Sequence, residues 1–223
     1  VFFAGHLFGG QEYNSADASA PAGFAKIGAQ ELARGIYPQW NPYMFCGMPS
    51  FGSLLYNPNV FVPDIVLGGI SNFLHLPPDA WLVFYYLVMG LGMFYFLIRE
   101  SVVPEAALIG ALALVFTPNL IAVGAFGHGS QLVCDAFIPL ALLAVAELFR
   151  KPRAIALGGL ALALGLQLLR AHIQIFYYTL LLVGLYAVVQ TVITIFTTKE
   201  TKRIGLALGG VVVAIALAGM IGA

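Results

Sequence analysis

Six apolar runs, each near the length that a lipid bilayer demands, dominate this 223-residue chain. A membrane-crossing helix needs about 20 apolar residues. The runs are Trp81–Ile98, Ala106–Phe126, Leu132–Phe149, Ala154–Leu169, Ile173–Phe196 and Ile204–Ala223. Val1–Gly9 is too short to cross and reads as the tail of an earlier span, which brings the expectation to about seven spans. The runs are continuous, whereas the strands of a membrane barrel alternate with period two. Charged residues make up only 9%, against about 25% in a soluble domain. Ten basic residues balance ten acidic ones, so the basic excess of a nucleic-acid binder is missing. The fold class expected is an all-α integral membrane protein, a polytopic helical bundle forming one domain over residues 1–223.

Val1 is not a Met, and the run Ile204–Ala223 ends without a polar anchor. The chain therefore reads as a piece of a longer membrane protein, with residues 1–10 closing a first span. It has no basic start, short apolar region and cleavage site of the kind that marks a signal peptide.

Lys and Arg set the direction. Arg99, then Arg150, Lys151 and Arg153, then Lys199, Lys202 and Arg203 occupy alternating connections, seven of the ten basic residues. Those connections are expected in the cytoplasm. The opposite face takes residues 11–80, the turn Gly127–Gln131 and the turn around Arg170–His172. Residues 81–223 form the bundle. Within the outer segment, Pro21–Arg34 reads as an amphipathic surface helix, capped by Ser19 and ended by Gly35. Tyr37–Pro63 is loop-like, broken by five prolines. Asn59–Leu76 is moderately apolar, but a crossing there would move every basic loop to the other side, so it is expected to lie at the interface or re-enter on the outer face.

Chemistry-bearing residues gather at that outer end. Asp135 lies about one turn into its span, where a charge is costly; His128, Gln131 and Arg170 are its candidate partners. His128, Gln131 and Asp135 share one helix face at i, i+3, i+7. Ser130 can cap that helix, whose N-terminus could hold a phosphate; a plain cap with a polar stripe explains the same pattern. Arg170 beside His172 could bind phosphate through charge-assisted bonds, or Arg170 could anchor a helix end among headgroups. Gln174 and Tyr178 follow on the next span. Asp17 is an outer-face carboxylate suited to general-base work or a helix-entry residue beside Ser19, with Glu12 a weaker candidate of the same kind. Cys46 and Cys134 show no metal-ligand spacing, and a disulfide between them is less expected than packing as free thiols. Glycines at 158, 159, 165, 209 and 210 suit close helix packing, and Pro118 and Pro139 suit kinks.

The stretch Leu32–Pro58 resembles the YfhO family of bacterial membrane proteins. Its outer loop follows the family pattern through Gly35, Pro38, Trp40, Asn41, Pro42, Phe45, Gly47, Met48 and Pro49. Two shorter stretches, Gly127–Gln131 and His172–Tyr178, are similar to further segments of that family, in the same order. The family is related to GT-C membrane glycosyltransferases, which take sugars from polyprenyl-phosphate donors on the outer face. The resemblance implies a glycosyltransferase of the bacterial inner membrane, with a lipid-linked sugar donor, a cell-envelope polymer acceptor and membrane lipid as partners, and no nucleic acid. It implies Asp17 as the acidic catalytic residue, with Glu12 as alternate. Arg170, His172 and His128 would bind the donor phosphate, supported by Gln131, Asp135, Gln174 and Tyr178. Trp40, Asn41, Tyr43 and Tyr56 would form a sugar- or lipid-facing wall. Some relatives use a divalent metal; no three-carboxylate cluster stands at fixed spacing here, and the cofactor stays open. A flippase of a lipid-linked glycan would use the same outer cluster but should carry polar residues through mid-membrane, and Ala154–Leu169 and Ile204–Ala223 read as almost wholly apolar. A non-catalytic assembly protein is the third reading.

Overall fold

The computed structural model describes residues 3–9, 28–42, 46–50, 57, 59–77 and 79–222. Nine helices are labelled among them: α1 (Ala4–Phe8), α2 (Val62–Leu74), α3 (Ala80–Arg99), α4 (Pro104–Val115), α5 (Pro118–Ala125), α6 (Gly129–Arg150), α7 (Ala154–Leu169), α8 (Ile173–Thr197) and α9 (Thr201–Gly222). Two-residue strands β1 (Trp40–Asn41) and β2 (Met48–Pro49) pair antiparallel, Trp40 opposite Pro49. The chain is a predominantly helical membrane protein. Four helices, α3, α6, α8 and α9, are long and apolar enough to cross a membrane.

The described residues hold fewer spans than the apolar runs predict. Ala106–Phe126 is not one straight helix: α4 and α5 meet at a 43° bend, and they count as a fifth span only if taken together. Pro118 has no N–H to continue the ladder. Its neighbour Thr117 donates its hydroxyl to the Ala113 carbonyl at 2.8 Å, satisfying a group the break exposes. Helix α7 has 16 residues, about 24 Å at 1.5 Å per residue, short of the ~30 Å hydrocarbon core. The described residues thus hold four spans, or five with the bent pair, rather than seven. Helix α1 is a five-residue piece, and Phe3 beside it stacks on Tyr86 of α3 with ring centroids 5.6 Å apart.

Helix α6 is the axis of the bundle: 72% of its apolar window is buried, against 33% or less for the other three long helices. Helices α3, α7, α8 and α9 pack around it. Leu82, Tyr85 and Met89 of α3 meet Leu132, Val133, Val145 and Leu148 of α6 and Leu160 and Leu164 of α7 in one core. Small residues set the closest approaches, as they do where lipid removes the hydrophobic drive for helix association. A Cβ at Gly165 would lie 2.8 Å from Ile221, and one at Gly210 would lie 3.2 Å from Leu148. Gly158 and Gly209 have nothing within 4 Å, so close packing does not account for them. The outward faces of α3, α8 and α9 carry Leu87, Leu91, Leu185, Val188, Val212 and Met220, all exposed. A surface this apolar is untenable in water and ordinary against lipid.

The basic connections converge at one end. Arg99 pairs with Glu147, and Arg150 donates to the Arg99 carbonyl at 2.9 Å. Glu100 accepts from Tyr186 at 2.7 Å. The turns at His128 and Arg170 lie at the other end. Residues 28–32 are helical and close in a Schellman turn: Gly35, at φ 75°, donates to the Leu32 carbonyl while Ile36 donates to that of Glu31. This matches the expected stop of the surface helix, whose earlier residues, with Ser19, lie outside the described residues.

Candidate functional site

At the end opposite the basic connections, Asp64 and Arg170 stand in the wall of a groove, with Phe61 buried against the guanidinium. Helix α2 begins with Pro63 in its first turn, where a missing N–H costs nothing. It has no buried residue of its own, and at 13 residues it spans about 20 Å, too short to cross. Two side chains fix its start to the bundle. Phe61 is fully buried, and Asp64 binds Arg170.

Arg170 Nη1 stands 2.5 Å from Asp64 Oδ2, across 106 residues of sequence. Tyr85 of α3 donates its hydroxyl to Asp64 Oδ1 at 2.8 Å. The guanidinium also stacks over the Phe61 ring, 5.3 Å from its centroid, a favourable cation–π geometry. Arg170 is buried, while Asp64 is about one-quarter exposed. Together with Ser71, Asn72 and Trp81 they line an open groove of about 570 Å³. Trp81 reaches over the turn that opens α6, where a Cβ at Gly129 would meet its ring at 3.0 Å.

The sequence-derived candidates divide as follows. Arg170 does not pair with Asp135; among the described residues its carboxylate is Asp64. Gln131, one of the three expected partners of Asp135, lies close enough to interact with it. His172 precedes α8 and His128 precedes α6 as their cap residues, and the two imidazoles are close enough to interact. His172 is half-buried, and burial first, then the neighbouring His128, lowers its pKa from the ordinary value. Its Nδ1 is buried without a partner among the described residues. His172 therefore enters the site as a neutral imidazole, and Arg170 is the fixed cation. Gln174 donates to Tyr178 at 3.1 Å on the exposed side of α8, a pairing within one helix. Trp40 is exposed, and Asn41 is buried in the β1–β2 hairpin. Asp17, Glu12, Tyr43 and Tyr56 lie outside the described residues. Cys46 and Cys134 are free thiols, the first exposed and the second buried.

Three residues of the centre escaped the sequence reading. The signal of Asp64 is a lone acid in an otherwise apolar helix, which needs a partner. Tyr85 is hidden in an aromatic run. Gln167 interrupts a stretch that reads as purely aliphatic. It is fully buried and donates to the Cys134 carbonyl at 2.8 Å and to Thr179 Oγ1 at 3.0 Å. The Cys134 thiol donates back to the Gln167 carbonyl at 3.6 Å. Gln167 thereby ties α6, α7 and α8 together beneath the Arg170 turn.

Chemically, the arrangement offers one buried, oriented guanidinium at the wall of an open groove, with a neutral imidazole nearby. Arg presents five N–H donors in a planar fork suited to carboxylate and phosphate. Asp64 accepts from both Arg170 and Tyr85, so each of its oxygens is engaged in positioning a neighbouring side chain. Among the described residues no three His, Cys, Asp or Glu side chains converge on a metal position, so the described site supplies no ligand set. Compared with known proteins, the chain matches no family model, no curated protein and no solved structure.

Proposed function

We propose that the chain is the membrane core of a glycosyltransferase that moves a sugar from a polyprenyl-phosphate donor to a cell-envelope acceptor. The reading places a GT-C-like bundle in the bacterial inner membrane, its basic connections in the cytoplasm and the Arg170 groove on the outer face. The observation that carries it is Arg170 itself: a buried cation, oriented by Asp64 and Phe61, on the wall of an open groove. A buried guanidinium held in place before substrate arrives suits charge that develops on a leaving phosphate.

In this scheme the acceptor hydroxyl oxygen bonds to the anomeric carbon as the carbon–oxygen bond to the donor phosphate breaks. Arg170 stabilises the departing phosphate, and His172 and His128 donate hydrogen bonds to it. Asp17, the carboxylate that the family resemblance implies, takes the proton from the acceptor. Asp64 is a positioning residue: it aims Arg170 and is not itself the base. Trp40, Asn41, Tyr43 and Tyr56 form the sugar- or lipid-facing wall that the family resemblance implies.

The test uses the full-length gene in its own host. The gene is deleted and complemented with wild type, Asp17→Asn or Arg170→Ala, with membrane levels matched by immunoblot, and envelope glycans and lipid-linked sugars are read by mass spectrometry. Loss of one sugar modification with accumulation of its donor lipid, restored by wild type alone, is the expected result. Full restoration by Arg170→Ala would overturn the role of the groove. An unchanged glycan profile on deletion would overturn the transferase reading and favour transport or assembly.

A further inference from the structure

A second groove lies along the seam between α6 and α7, at the basic end of the bundle and away from Arg170. It holds about 440 Å³. Its floor exists because small residues face each other there: Ala156, Gly159 and Ala163 on α7, against Ala144 on α6. A Cβ at Gly159 would find only Ala144, 3.9 Å away. Along α6 the lining runs from Glu147 back to Phe137, ten residues or about 15 Å. That is half of the ~30 Å hydrocarbon core, the depth of one leaflet. Almost all of the trench is apolar, and its mouth is charged.

At the mouth stand Arg99, Lys151 and Arg153, with Glu147 as the single acid. Arg99 already pairs with Glu147. Neither Lys151 nor Arg153 is ion-paired among the described residues. An apolar slot one leaflet deep, ending at two cations that lack an acidic partner, is complementary to one class of molecule: an anionic amphiphile with a phosphate at its head. Basic pockets between membrane helices hold acidic headgroups for this electrostatic reason.

We propose that this groove binds an acidic phospholipid, one acyl chain lying on the Gly159–Ala163 floor and the phosphate resting between Lys151 and Arg153. The site is independent of the transferase reading. The bound lipid seals the α6–α7 seam at the headgroup level, where the short α7 would otherwise leave the bundle open.

Native mass spectrometry of the purified full-length protein tests this. The protein is incubated with phosphatidylglycerol or with phosphatidylcholine of the same chains. Wild type should retain the acidic lipid at least fivefold more strongly, and the preference should shrink as salt rises. Lys151→Ala/Arg153→Ala should weaken phosphatidylglycerol retention about tenfold to thirtyfold; both residues lie in an exposed connection, so the fold should survive. Gly159→Leu fills the floor and should abolish retention, whereas Gly158→Leu, whose Cβ meets nothing within 4 Å, should leave it unchanged. Equal retention of the two lipids by wild type would overturn the proposal. So would identical behaviour of the Gly158 and Gly159 variants, or full competition by glycerophosphoglycerol, which has the charge without the chains.

Discussion

Arg170 and Asp64 close a salt bridge between the α7–α8 turn and the first turn of α2. The pair does two jobs at once. It neutralises a buried cation, and it attaches to the bundle a helix that has no buried residue of its own. Removing one partner takes a close counter-charge away from the other, which costs about 3–5 kcal/mol for a fully buried pair. Asp64 keeps some contact with solvent, so the lower end applies. Asp64→Ala and Arg170→Ala are each expected to lower apparent stability in detergent by about 3 kcal/mol. The double variant should lose less than the sum of the two, by at least about 1 kcal/mol, because the groups are coupled. Thermal unfolding of the four proteins measures this, and additive losses would refute the coupling.

The hairpin around Trp40 gives a local test. Gly47 sits at φ 115°, and a Cβ there would lie 2.7 Å from the Trp40 ring. Both the backbone and the indole forbid a side chain. Gly47→Ala should displace Trp40, red-shift its fluorescence and cost about 2 kcal/mol, combining backbone strain with the clash. Trp81 is the other indole in the chain, so a Trp81→Phe background isolates the signal. An unchanged Trp40 spectrum would show that the ring does not rest on Gly47.

What could be read from the sequence was what repeats along it. Apolar runs of span length became helices, and seven basic residues in alternating connections marked one end of the bundle. Gly35 ended its helix as its residue type suggests. Three kinds of feature stayed hidden. The Arg170–Asp64 pair joins residues 106 positions apart, and no local pattern selects Asp64 over Asp135 as the partner. The α4–α5 bend depends on whether the helix repairs itself at Pro118 or starts anew, a choice made by packing. Gln167 looks incidental in an aliphatic run, yet its amide finds acceptors on two neighbouring helices. The chemistry-bearing end of the molecule was legible as a set of residues; which of them touch was not.

His172 supplies a pH dependence with a definite sign. Its folded-state pKa lies below the ordinary value, because burial and then the nearby His128 oppose its protonation. The unfolded chain therefore binds the proton more readily, with a pKa near 6.5. Stability is fully present above that value and falls as pH drops through it, levelling off only below the lower folded pKa. Apparent melting temperature should decline between about pH 7 and pH 5, and His172→Gln should flatten that decline. A profile of unchanged slope in the variant would assign the effect to other groups.

Ala171 stands between Arg170 and His172 at φ 64°, in the left-handed region that favours glycine. Its N–H donates to the Leu168 carbonyl at 2.9 Å, closing the α7 terminus. An alanine there costs about 1–2 kcal/mol relative to a right-handed conformation, and a glycine would adopt the same turn without that strain. Part of the gain is offset by the larger entropy that glycine loses on folding. Ala171→Gly is therefore expected to stabilise the protein by about 0.5–1 kcal/mol, read as a rise in apparent melting temperature. Strain held between two site residues serves positioning if relaxing it harms function. The turn sets where the guanidinium and the imidazole leave the backbone, and a freer residue lets both wander. The proposed transferase activity should accordingly fall severalfold in the same variant that melts at a higher temperature. Activity that is unchanged alongside increased stability would make Ala171 a simple structural compromise rather than a device that holds Arg170 and His172 in place.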